Sequence, residues 1–262
     1  MSKYKIWWQS STPMGAYPFL KDYANAIVKN SRNILSPDFE LTVHGVNKGT
    51  FELSSLYNDG LNNREIMENF IKVEKEGYDG IAIGCFVDPC LHEAREILDI
   101  PIASLAEVSM HFACMYGDKF GVVTPGPLVK EKFYEPLLRR YGLEYRCAGM
   151  DHMQISLEQH AQGFSDPSGH IKEFMKVAKK LIDKGADVII SGCGIINALL
   201  AQNKVSQVEG TGVPFVDGSS ALMKTAETMI LMKKAYGTKV SRKGYYQSPS
   251  NFRETRKIYG LE

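Results

Sequence analysis

Apolar residues along this chain alternate between two rhythms. Short runs of period two, or of continuous apolar character, read as strands at 4–8, 39–46, 81–83, 100–102, 119–123, 144–148 and 213–216. Between them, apolar positions recur every three or four residues. Phe19, Tyr23, Ala26 and Ile27 are one such set, and Ile66, Met67, Phe70, Ile71 and Val73 another; both read as helices with one face in the core. The spacing predicts helices from near 17 and over 64–76, 88–98, 104–116, 171–183, 195–205 and 218–236, with another around Phe133, Leu137 and Leu138. Asp88 followed by Pro89 predicts an N-cap and a first helical residue, and Gly77 predicts a C-terminal cap. Residues 149–169 are polar and unpatterned. His152, His160 and His170 are expected there as solvated loop residues, or as parts of a lid. His92 and His111 are expected on helices, at the surface or partly buried. The basic, aromatic tail from Gly237 reads as an arm packing on its own chain or on a neighbouring subunit.

One stretch occurs twice. Gly77-Tyr78-Asp79-Gly80-Ile81-Ala82-Ile83-Gly84-Cys85 returns as Gly185-Ala186-Asp187-Val188-Ile189-Ile190-Ser191-Gly192-Cys193, 108 positions later. A period this long implies duplicated lobes, since solenoid repeats are shorter. Each copy reads as a helix end, a tight glycine turn and a buried strand that delivers Gly-Cys at its carboxyl end. Strands alternating with helices imply parallel sheets. The expected fold is therefore α/β, with two pseudo-symmetric lobes, each a mostly parallel sheet flanked by helices. The last long helix is expected to return to the first lobe, giving lobes of residues 1–117 plus 217–262 and 118–216. Ligands of open parallel sheets bind outside the carboxyl ends of the strands, so the active site belongs in the cleft, with one cysteine from each side.

Composition narrows the class. The chain has 262 residues, 44% hydrophobic and 23% charged, with a net charge of +1. No block of like charge suggests a nucleic-acid or membrane-surface partner. No apolar run approaches the ~18 residues of a membrane span, and residues 1–9 lack a secretory pattern; a cytoplasmic protein is expected. Five cysteines are an odd number in a chain too long to need staples. Cys85 and Cys90 are too far apart for a CxxC pair, so no metal is expected. Cys90, Cys114 and Cys147 read as packing thiols.

A cysteine following an apolar strand is commonly core; two at matched positions of a duplicated frame suggest chemistry. Each is predicted just before a helix start, where backbone N–H groups and the helix dipole lower a thiol pKa. A thiolate on one side of a carbon and a thiol on the other can remove a proton from one face and return one to the opposite face. That inverts a stereocentre next to a carbonyl. The enolate formed in between needs donors, and the loops after the first strand of each lobe supply candidates: Ser10, Ser11 and Thr12, and Thr124, Pro125 and Gly126.

At the cysteines the chain resembles a known family. Ile83-Gly84-Cys85-Phe86-Val87-Asp88-Pro89 resembles the first-cysteine motif of hydantoin racemases, and Ser191-Gly192-Cys193-Gly194 their second. Residues 106–111, 120–124 and 213–218 resemble the flanking segments. The superfamily is that of aspartate, glutamate and hydantoin racemases, and the hydantoin or allantoin branch is the nearer likeness. The resemblance implies two α/β lobes, no cofactor, oligomers, and Cys85 and Cys193 as the acid/base pair. Phe86 and Gly194 stand where the amino-acid racemases usually carry Asn or Thr, which marks both as candidate substrate contacts. Gln9-Ser10-Ser11-Thr12 replaces the usual Asn-Pro-Asn-Thr loop. The implied activity is racemisation or epimerisation of a hydantoin-like or other amino-acid-derived small molecule. The alternatives are a single-cysteine decarboxylase of malonates and a non-catalytic small-molecule-binding or maturation protein.

Overall fold

A computed structural model describes residues 4–50, 55–155, 159 and 162–261; His160 lies outside them. The first half runs β1 (Tyr4–Gln9), α1 (Pro18–Ile34), β2 (Phe39–His44), α2 (Leu56–Lys75), β3 (Gly80–Ile83), α3 (Leu91–Ile97), β4 (Ile102–Ser104) and α4 (Leu105–Tyr116). The second runs β5 (Phe120–Thr124), a π-helical turn (Lys130–Tyr134), α5 (Glu135–Tyr141), β6 (Cys147–His152), α6 (Ser168–Asp183), β7 (Val188–Ser191), α7 (Gly194–Gln202) and β8 (Phe215–Val216). The helices α8 (Gly218–Tyr236) and α9 (Phe252–Ile258) follow.

The strands form two four-stranded sheets, β2-β1-β3-β4 and β6-β5-β7-β8, and every pairing within them is parallel. The two orders are the same order repeated, so the duplication seen in the sequence is a duplication of topology. In each sheet the chain leaves the two central strands in opposite directions, which opens a crevice at their carboxyl ends. The loops after β1 and β3 line one crevice, and those after β5 and β7 the other.

Each repeated residue has a physical job. Gly77 and Gly185 adopt positive φ, +79° and +99°, where a side chain is strained. Asp79 then accepts the Lys5 N–H at 2.9 Å, and Asp187 accepts those of Asp118 and Lys119 at 2.8 Å. The aspartate of each copy thus ties the start of the third strand to the start of the first. The apolar run that follows is fully buried in both copies.

Four expectations need correcting. The helix predicted at 64–76 begins at Leu56, capped by the Ser55 side chain; its first turns are rich in Asn, Asp and Gly, which hid it. The helix predicted at 88–98 covers only Leu91–Ile97. Asp88 does not cap it: its carboxylate turns to Ser104 and to the Ala106 and Glu107 amides at the start of α4. The strand predicted at 144–148 is a 3₁₀ turn at Glu144–Arg146 followed by β6, which runs into the stretch read as unpatterned. His170 is a buried residue of α6 rather than a loop histidine.

The final long helix α8 packs across β3 and β4 of the first sheet. Asp217 caps it and also accepts from Asn30 of α1 and Asn197 of α7, a polar joint between the two halves. The tail folds over its own chain. Arg242 donates to the carbonyls of Arg95, Glu96 and Leu98 at the end of α3, and Arg256 makes a forked pair with Glu68 of α2.

Candidate active site

β3 and β7 are the inner strands on which the two Gly-Cys pairs are mounted. Cys85 follows Gly84 at the end of β3, and Cys193 follows Gly192 at the end of β7. One pocket of about 80 Å³ is lined by Ser10, Ser11, Cys85, Phe86, Cys193 and Gly194, among others. Thr12 and Pro125, which the sequence placed in the two candidate loops, line it as well. Thr124 and Gly126 do not. The Thr124 hydroxyl donates to the Gly126 carbonyl at 3.0 Å, closing the turn on itself, and Pro125 between them faces the pocket.

The loop after β1 is held rigidly. Asn62 of α2 donates to the Ser11 carbonyl at 3.1 Å, and the Ser10 and Thr12 hydroxyls pair at 2.8 Å. The Ser11 hydroxyl is buried, lies against the Cys85 thiol, and has no hydrogen-bond partner of ordinary geometry. An unpaired buried hydroxyl is costly, and this one belongs to a residue of the pocket wall.

Sequence reasoning missed Tyr23, Val87, Val129, Tyr134 and Ile195, which also line the pocket. Tyr23 was read only as a packing residue of α1. Tyr134 sits on the π-helical turn, where the changed phase lets Phe133 and Tyr134 both point inward. Its ring packs edge-on against Phe86, with centroids 5.0 Å apart. The signal available was chemical: a buried tyrosine hydroxyl needs a partner. His152 and His170 are not among the lining residues.

The thiols are not in the state the helix-start argument predicts. Burial pushes Cys85 up to about 12, against the pull of the Ser11 hydroxyl and the Val87 amide, while charges on Asp59 and Cys193 push further upward. Cys193 is the N-cap residue of α7, and the Ile195 and Ile196 amides pull its pKa down, but burial outweighs them and the net shift is upward. Stripping water from a thiolate in this narrow pocket costs more than the nearby amides return. Both shifts favour the protonated thiols. Among the described residues no charged side chain lines the pocket, and no cluster of three or more His, Cys, Asp or Glu could hold a metal ion. No helix among them is long and apolar enough to cross a membrane.

A sequence model of the Asp/Glu/hydantoin racemase family matches residues 21–226. A hydantoin racemase of Pseudomonas sp. (strain NS671) is 30% identical over 213 residues, 81% of each chain. An allantoin racemase from Klebsiella pneumoniae superposes with a TM-score of 0.78 at 25% identity, over 94% of both chains. An allantoin racemase from Pseudomonas fluorescens gives a TM-score of 0.77 at 21% identity, over 94% of this chain and 97% of the other, a likeness of fold.

Proposed function

This chain belongs to the Asp/Glu/hydantoin racemase family, a family of isomerases, and we propose that it inverts a stereocentre next to a carbonyl with Cys85 and Cys193 as opposed bases. In this reading residues 1–117 with 217–262 form the lobe carrying Cys85, and 118–216 the lobe carrying Cys193. The cleft between the lobes is the reaction site. The observation that carries the reading is that both thiols line one small buried pocket.

The step balances without a co-reactant. The thiolate of one cysteine takes the proton from carbon, and the bonding pair moves into the carbonyl to make an enolate. The thiol of the other cysteine gives its proton to the opposite face and becomes the thiolate. Charge has crossed from one sulfur to the other, ready for the reverse reaction. We take the Ser11 hydroxyl, beside Cys85 and without an ordinary partner, as the donor for the enolate oxygen once substrate is bound. Burial that raises a thiol pKa makes the thiolate a stronger base at the expense of its population.

The substrate class follows from what the pocket lacks. The carboxylate of a free amino acid favours a cationic clamp, and none lines this pocket among the described residues. A volume of about 80 Å³, well below the ~300–1,000 Å³ of drug-sized sites, suits a small neutral ring. A hydantoin-like ureide with a short substituent meets both conditions. The test is solvent-deuterium uptake at the stereocentre of 5-substituted hydantoins and allantoin. Each of Cys85→Ser and Cys193→Ser should slow it by ~10²-fold or more. A loss in only one variant would instead mark a one-base mechanism, and no uptake by the unaltered protein would end the proposal.

A further inference from the structure

The carbonyl oxygen just before each active-site cysteine carries a tyrosine hydroxyl. Tyr134 donates to Gly192 O. Tyr23 reaches Gly84 O at 3.5 Å and accepts from the Trp8 indole N–H at 3.0 Å. The indole N–H takes one lone pair, and the Tyr23 hydroxyl, with the Ser10 hydroxyl also beside it, makes the longer contact to Gly84 O. Both tyrosines are almost fully buried and both line the pocket. Each sits on the helical segment that follows the first strand of its own sheet: α1 after β1, and the π-helical turn after β5. The aromatic packing matches too. A β-carbon on Gly192 would lie 2.8 Å from the Tyr134 ring, and one on Gly84 would overlap the indole that holds Tyr23.

We propose that Tyr23 and Tyr134 are a matched pair of positioning residues, each fixing the Gly-Cys peptide of one sheet and thereby the sulfur that peptide carries. The inference deepens the two-cysteine reading above and rests on it for its catalytic meaning. A peptide unit is planar, so anchoring the glycine oxygen also sets the cysteine amide and the direction from which the side chain leaves. The hydroxyl polarises that peptide as well, and in a dry site such polarisation is worth more than in water. It strengthens the local amide dipoles that favour thiolate. Burial, followed by charges on the two cysteines, raises both tyrosines above the usual range, so each hydroxyl keeps its proton and stays a donor at working pH. The residue offsets from the strand ends differ between the halves, so the pairing is invisible as a sequence repeat.

The bland alternative is that both are core tyrosines with satisfied hydroxyls. The two readings part on selectivity. In the full-length chain, Tyr23→Phe and Tyr134→Phe each remove one oxygen and keep the ring. Iodoacetamide labelling, followed by peptide mass spectrometry, gives separate rates for Cys85 and Cys193 from about pH 7 to about pH 9.5, where rate tracks thiolate fraction. Tyr23→Phe should slow Cys85 roughly three- to tenfold, the scale of one net hydrogen bond, with Cys193 within about twofold. Tyr134→Phe should do the reverse. Equal changes at both cysteines, no change at either, or acceleration of the matched cysteine would overturn the proposal. Each molecule carries its own control in the unmatched cysteine, so if one variant fails to fold the other still decides. Labelling needs no substrate: a protein that failed to racemise anything would sink the activity proposed above without touching this result.

Discussion

Gly194 lies so close to Gly84 that a β-carbon on it would collide with the Gly84 carbonyl oxygen. The residue after one cysteine therefore touches the residue before the other. Gly194 does not have positive φ, so its glycine identity answers to this contact and not to backbone conformation. Gly194→Ala should leave the chain folded while pushing the two motifs apart. A displacement near 1 Å at reacting groups costs ~10²-fold, and deuterium uptake should fall on that scale with circular dichroism unchanged. Wild-type uptake in this variant would mean that the separation of the motifs is unimportant.

Tyr141 of α5 donates to Asp88 Oδ2 at 2.5 Å, so a helix of the second half grips the loop that follows Cys85. That loop needs gripping: Asp88 and Cys90 hold φ of 48° and 57°, uncommon for side-chain-bearing residues. Tyr141→Phe should cost ~1.5–3 kcal/mol in urea unfolding, the scale of one hydrogen bond to a charged group, since Asp88 Oδ2 keeps the Glu107 amide. Tyr145→Phe, on a side chain 92% exposed, should stay within ~0.5 kcal/mol.

The thiols give a pH dependence of definite sign. Cys85 is raised to about 12 and Cys193 is raised as well, both by burial. The folded chain therefore keeps protons that the unfolded chain releases above ~8.5. The stability this confers is complete below that pH and is lost as pH climbs toward the folded value. Urea midpoints should fall between about pH 8 and pH 10, and Cys85→Ala should flatten the fall. The deuterium-uptake rate should rise about tenfold per pH unit from about pH 7 to pH 9, as a thiolate population does below its pKa. A plateau starting near neutrality would show that a resting thiolate already exists.

The sequence by itself determined the architecture, because the signals that specify it are local. A glycine that must take positive φ, an aspartate two residues on and a short apolar run are readable at 77–83 and again at 185–191 without any knowledge of packing, and they predicted two sheets of one topology. The matched placement of Cys85 and Cys193 followed from the same frame. Only the tertiary structure decided what depends on distant partners. Asp88 looks like the cap of the helix beside it, yet it caps α4, which follows the neighbouring strand, because two amides and Ser104 meet it there. The thiol pKa values reversed direction because a local helix-end field is short-ranged and weak beside the desolvation of a narrow pocket. That cavity exists only where both halves meet, and the hydroxyls of Tyr23 and Tyr134 found the glycine carbonyls by folding, from offsets that no repeat in the chain records.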